Sequence, residues 1–200
     1  MGRLRSVLVV STDSRTWAAD SAALLRQGPA RAGRCRIVAL EGRSGSGKTR
    51  LADALAVPLG CSVFHLDDVY PGWDGLAAAV PLVREWVVEP LLHGRDPCWR
   101  RYDWERGGYS GWHRTLADEV LLVEGCGAGA RDLRPYLSAL VWVDVPDPVR
   151  RERLEARFDA AAYAPHRERW ATQETAFYLE SRPRERADLV IDNSRPVPEW

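Results

Sequence analysis

The nonapeptide EGRSGSGKT, residues 41–49, decides how the rest of the chain is read. Gly42, Gly47, Lys48 and Thr49 satisfy the spacing G-x-x-x-x-G-K-[ST]. The residues before it, CRIVAL (35–40), form a short apolar run. Those after it, GKTRLADALAV (47–57), place Leu51 and Leu55 four apart until Pro58 and Gly60 stop the pattern. Strand, glycine-rich turn and helix in that order make a cradle for an anion. Glycines let successive backbone N–H groups converge on phosphate oxygens, and the helix adds its positive end. The candidate nucleotide site is therefore Gly42, Ser44, Gly45, Ser46, Gly47, Lys48 and Thr49. Lys48 reaches for the β- and γ-phosphates of ATP, and the Thr49 hydroxyl ligates Mg²⁺. Of 28 basic residues, 27 are arginine, and Lys48 is the one lysine. A compact ammonium is kept here in a chain that otherwise uses the planar guanidinium fork.

Further runs continue the rhythm. CSVFHL (61–66), VLLVEG (120–125), ALVWVDV (139–145) and ADLVID (187–192) read as buried strands, five in all with residues 35–40. Helical spacing separates them at 148–163, where Leu154 and Phe158 stand four apart, and at 166–181, which aligns Trp170, Glu174, Phe177 and Tyr178. Alternating strands and helices predict an α/β fold of the P-loop NTPase kind, three layers around a mostly parallel five-stranded sheet. Residues 1–34 are read as an appendage holding a strand (VLVVS) and a helix (WAADSAALLRQ), and 35–200 as the main domain. Residues 71–117 are an insertion rich in Trp and Tyr.

In a parallel sheet, strand-end acids emerge beside the phosphate loop. Glu124 is the candidate second acid for Mg²⁺. Asp67 is the candidate acceptor of a hydroxyl proton and a further metal contact; the adjacent Asp68 is a weaker candidate. His65 reads as a structural strand residue. Arg150, Arg153 and Arg157 fall on one face of the 148–163 helix, where a lid over about 148–165 supplies cations to the transferring phosphoryl group.

The bounds are simple. Lys plus Arg equal Asp plus Glu at 28 each, which makes no electrostatic case for nucleic acid or an anionic membrane. No apolar run approaches the roughly 18 residues of a membrane span, and the start lacks a signal-peptide core, so the expected location is the cytoplasm. Cys35, Cys61, Cys98 and Cys126 form no C-x-x-C pair and are read as buried free thiols. A guanine-reading Asn/Thr-Lys-x-Asp motif needs a second lysine, which the chain lacks, so ATP is favoured over GTP.

The phosphate loop, DDVY (67–70), YDWERGGY (102–109), LLVEG (121–125) and the arginine-rich segment after VDVPDP together resemble the uridine kinase–like P-loop kinases over roughly residues 35–195. The resemblance implies that Asp67 is general base and metal contact, that Glu124 holds magnesium, and that Arg150, Arg153 and Arg157 serve the nucleotide and the transfer. It further implies that Tyr70, Tyr102, Asp103 and Arg106 face the acceptor. The chain departs from the family's pattern by lacking a histidine just after Tyr102–Trp104 and by carrying YPGWDGL in place of an Asp-rich sugar-binding stretch. The expected activity is transfer of the γ-phosphoryl group of ATP to a hydroxyl of a small molecule such as a nucleoside. A kinase of another metabolite, or an ATPase driving a partner protein, stays open. Association of several copies is compatible with each.

Overall fold

The computed structural model describes residues 7–195. Among the described residues eight strands form: β1 (Leu8–Ser11), β2 (Arg36–Glu41), β3 (Ser62–His65), β4 (Cys98–Asp103), β5 (Gly108–Arg114), β6 (Val120–Glu124), β7 (Leu137–Asp144) and β8 (Leu189–Asp192). Six of them make one sheet in the order β1–β8–β7–β2–β6–β3, with every neighbouring pair parallel. The sheet thus has one strand more than the five expected, because VLVVS adds β1 at the edge, in register with β8.

Both faces of the sheet are covered, as continuous apolar strands require. Along β2, Ile37 and Ala39 enter one core while Val38 and Leu40 enter the other. The second core is closed by α1 (Trp17–Leu25) and α2 (Lys48–Leu59) through Trp17, Leu25, Leu51, Leu55 and Leu59. The first is closed by the insertion and the C-terminal helices. The insertion begins as one helical stretch: α3 (Leu76–Val83), a π-turn segment (Arg84–Val88) and α4 (Glu89–Leu92). Pro90 cannot donate the backbone bond that an α-helical register would ask of it, and the wider segment lies just before it. The insertion ends in an antiparallel hairpin of β4 and β5.

Beyond β7 come α5 (Asp147–Glu155), α6 (Ala160–Tyr163), α7 (Arg167–Ser181) and α8 (Pro183–Arg186). The single helix expected over 148–163 is therefore broken at 156–159. Leu154 is buried, whereas Phe158 is 101% exposed, so their spacing of four does not mark a common buried face. In α7 the expected face holds: Trp170, Glu174 and Phe177 are all buried. Of the four cysteines, Cys35 and Cys126 are buried, Cys61 is partly covered and Cys98 is exposed, which corrects the reading of all four as buried. Cys98 opens the insertion's hairpin, away from the central sheet.

Candidate active site

The phosphate loop joins β2 to α2 at the carboxyl edge of the sheet. Gly45 (φ +79°) and Gly47 (φ +87°) take left-handed conformations. A Cβ on Gly45 would come within 2.6 Å of the Arg150 carbonyl, and one on Gly47 within 2.7 Å of Asn193 Nδ2. The sharp curl and the close approach of neighbours both need these glycines.

The loop's outer carbonyls are held from behind. Arg150 Nη1 donates to Ser44 O (2.8 Å), and Arg153 Nη1 to Ser46 O (3.4 Å). The buried Asn193 donates its Nδ2 to Ser46 O at 2.8 Å, and its Oδ1 accepts from Thr12. Arg150 and Arg153 thus brace the loop's backbone. Arg157 lies apart from them, within the break, paired with Asp159 through two guanidinium nitrogens at 2.8 and 2.6 Å. The expected common face of three arginines is not formed, because the helix ends at Glu155. Arg157 instead reaches the electrostatic neighbourhood of Asp67.

Glu41, the residue before the loop, is an acid to which sequence reasoning gave no role. It is 0% exposed. Its Oε1 accepts from Gly42 N–H (2.9 Å) and the Tyr178 hydroxyl (3.0 Å), and its Oε2 from Gly127 N–H (2.8 Å) and Gly129 N–H (2.9 Å). One carboxylate therefore ties the phosphate loop, the turn after β6 and α7 together. Burial pushes its pKa up to about 7, opposed by those backbone donors and by Lys48.

Inside the loop, Lys48 Nζ donates to Gly42 O (2.8 Å) and Arg43 O (3.3 Å) and lies 3.6 Å from Cys126 Sγ. Burial works against the ammonium, but Cys126, Glu124, Glu174 and Glu41 outweigh it and hold the pKa above the usual lysine value. Glu174, buried on α7, accepts Ser44 N–H at 2.7 Å and sits 3.6 Å from Arg43 Nη1.

Thr49, Glu124 and His65 meet because of register. His65 on β3 stands opposite Glu124 on β6. His65 Nδ1 lies 2.7 Å from Glu124 Oε1, and the Thr49 hydroxyl donates to the same oxygen at 3.2 Å. The bond to Glu124 raises the His65 pKa against partial burial. His65 is thus a partner of the site and not merely a strand residue. Hydroxyl and carboxylate side by side fit Mg²⁺, which takes a few protein oxygens and keeps water and phosphate for the rest.

Asp67 lies in a short 3₁₀ turn after β3. By area it is exposed, yet it sits in a recess crowded by protein. That desolvation, then the Glu124 carboxylate, raises its pKa, while Lys48, Arg157 and His65 pull it back. Asp68 is turned to Arg101 at 3.1 Å.

Above Asp67 stands an aromatic wall. Trp104 Nε1 donates to Asp67 O at 3.1 Å. Trp73 stacks on His166 (4.3 Å between ring centres, 10° between planes) and packs on Trp104 and Tyr163. Tyr102 packs edge-on against Trp104, so it belongs to this wall. Asp103 Oδ1 accepts from Glu105 and Arg106 N–H and shapes the hairpin tip, with the Arg106 side chain 87% exposed beside it. Tyr70 stands elsewhere: it is 1% exposed and donates its hydroxyl to Cys126 O at 2.7 Å. The expectation that it faces the acceptor is corrected, since Trp170 packs over its ring at 4.8 Å.

No family model matches the chain, and no curated protein matches it significantly. Solved structures do. A protein described as a possible uridine kinase from Bacillus stearothermophilus aligns over 88% of this chain and 97% of its own, with TM-score 0.60 and 22% identity. A candidate kinase of a fructose transport system from a Silicibacter species aligns over 87% and 98%, with TM-score 0.54 and 23% identity. At these identities the likeness speaks to architecture: the chain has the α/β fold of the P-loop kinases.

Proposed function

We propose that the protein transfers the γ-phosphoryl group of ATP to a hydroxyl of a small molecule, with a nucleoside-like compound as the favoured acceptor. The observation that carries this reading is the gathering of Lys48, Thr49, Glu124, Asp67 and Arg157 at one sheet edge, beneath an aromatic wall. An ATPase that only drives a partner needs the loop and the metal acids. It has no use for a second strand-end carboxylate beside an aromatic wall.

Each residue has a physical part. The loop's N–H groups and Lys48 hold the phosphates and stabilise charge on the transferring group. Thr49 and Glu124 would hold Mg²⁺, whose chemistry when bound is to neutralise phosphate charge. Asp67 accepts the acceptor's hydroxyl proton, and its raised pKa makes it a better base than a free aspartate. Arg157, whose charge acts on Asp67, would supply a cation to the developing charge, and the wall of Trp73, Trp104, Tyr102 and Tyr163 would exclude water and offer aromatic surface to a planar ring. Among the described residues no helix is long and apolar enough to cross a membrane.

The test is ADP release from ATP and Mg²⁺ in the presence of nucleosides, deoxynucleosides, sugars and hydroxylated vitamins in turn. A rate that rises many-fold with one class supports the reading and names the acceptor. Equal turnover with water alone and with every compound contradicts it.

A further inference from the structure

Glu174, on α7, is a buried acid that neither the metal nor the proton transfer requires. It is 2% exposed. Its Oε1 accepts Ser44 N–H at 2.7 Å and the Cys126 thiol at 3.2 Å. Its Oε2 is 3.6 Å from Arg43 Nη1, an ion pair too long for a hydrogen bond. The carboxylate's charge acts on Lys48, whose Nζ lies 3.6 Å from the same Cys126 sulfur, and on Tyr163 of the aromatic wall. Glu174 thus neighbours both the phosphate-binding lysine and the acceptor side of the site.

Two carboxylates reach the loop, and they differ. Glu41 takes Gly42 N–H where the loop begins, and donors grip both of its oxygens. Glu174 takes Ser44 N–H in the middle of the loop, among the backbone donors that hold a phosphate chain. A carboxylate on such a donor acts as a phosphate oxygen would: it accepts from the amide and balances Arg43 and Lys48. The two anions cannot share the place, because like charges this close repel strongly in a buried site. The phosphoryl group that Glu174 would meet is the terminal one, since that group faces the acceptor wall to which Tyr163 belongs. We propose that Glu174 senses the terminal phosphoryl group: a triphosphate displaces it from Ser44 N–H, and a diphosphate does not. The displacement passes along α7 to the wall, where Gln173 donates to Trp73 O and Trp170 packs on Trp73. The inference rests on the kinase reading and assigns to one residue the distinction between substrate and product nucleotide.

Calorimetric titration of a non-hydrolysable ATP analogue and of ADP, each with Mg²⁺ at constant ionic strength, tests this in the wild-type chain and in Glu174→Gln. The amide keeps an oxygen for Ser44 N–H but has no charge with which to contest a phosphate. Glu174→Gln is expected to bind the analogue about tenfold or more tighter, with ADP affinity within about twofold of wild type. An analogue bound no tighter, or an equal change for both nucleotides, overturns the proposal and makes Glu174 a plain brace of the loop. Hydrogen exchange on the wild-type chain needs no variant. Exchange across residues 167–181 should differ between the analogue-bound and the ADP-bound protein, and identical exchange in the two also overturns the proposal. Neither measurement involves an acceptor or turnover. Binding of both nucleotides without these differences therefore removes the inference and leaves phosphoryl transfer standing. Binding of neither nucleotide to the wild-type chain strikes the kinase reading itself, and the inference with it.

Discussion

On the proposed reading, two residues separate holding from reacting in this site. Arg150 grips a loop carbonyl from outside, while Arg157 stands with Asp67. Arg157→Ala is therefore expected to lower kcat by about 10²-fold or more with ATP KM little changed, as when one preorganised donor to a transition state is lost. Arg150→Ala should instead raise ATP KM and lower the melting temperature. Steady-state kinetics on both variants checks the split, and the reverse pattern would reassign the two. Glu41 gives a second test. Its folded-state pKa is raised from 4.5 to about 7, so the stability this group contributes is full below the lower value and lost as pH rises through the higher one. Denaturant titrations between about pH 5 and pH 8 should show that decline in wild type and a flatter profile in Glu41→Gln. The variant should also lose about 1–3 kcal/mol, because its amide turns a donor toward donors. The part of Glu41 was not legible in the sequence, because it is one of many acids until three separated segments fold against it. Arg157 was read from the sequence as a cation for the transfer, but on one helix face with Arg150 and Arg153; that it stands apart from them shows only once the helix ends two residues before it.

At the scale of the element, α7 is the bridge between the two halves of the site. Glu174 and Tyr178 bond to the phosphate loop through Ser44 N–H and Gly42 O. One residue away, Gln173 donates to Trp73 O at 2.7 Å, Arg169 pairs with Asp74, and Trp170 packs on Trp73 and Tyr70. A loop that tightens on triphosphate should then shift α7 and with it the acceptor wall. We expect acceptor affinity to rise by about 5-fold or more when a non-hydrolysable ATP analogue is bound, a typical coupling, and the gain to shrink in Gln173→Ala. Equal gains in both proteins would detach α7 from the coupling. Helix α7 itself was legible, since its buried face repeats at helical spacing. The β4–β5 hairpin was not: β4 pairs with no neighbour of the main sheet, and its alternation of Trp, Arg and Tyr mixes polar and apolar character on both sides. Tyr70 was misjudged for a related reason. Motif position places it beside Asp67, but only the fold shows Trp170 closing over it.

At the scale of the molecule, the order of strands sets what can be removed. Residues 8–25 supply an edge strand and a helix whose Trp17, Ala22 and Leu25 are buried with Leu55 and Leu59. Each large apolar side chain so buried contributes about 1.5–3 kcal/mol, and natural domains hold only about 5–15 kcal/mol in total. A chain starting at residue 35 should therefore lose cooperative unfolding and expose β8 as a new edge. Circular dichroism melts check this, and a sharp transition near the full-length midpoint would show that the segment is dispensable. The parallel order was legible because each strand announces itself as an apolar run. The edge position of β1 was not, since pairing with β8 spans 180 residues of chain. The most direct measurement is the initial rate of Mg²⁺-dependent ADP release with a responsive acceptor, compared between wild type and Asp67→Asn. Loss of a general base predicts a fall of about 10²–10⁴-fold with ATP binding preserved. An unchanged rate in Asp67→Asn would contradict phosphoryl transfer through this carboxylate.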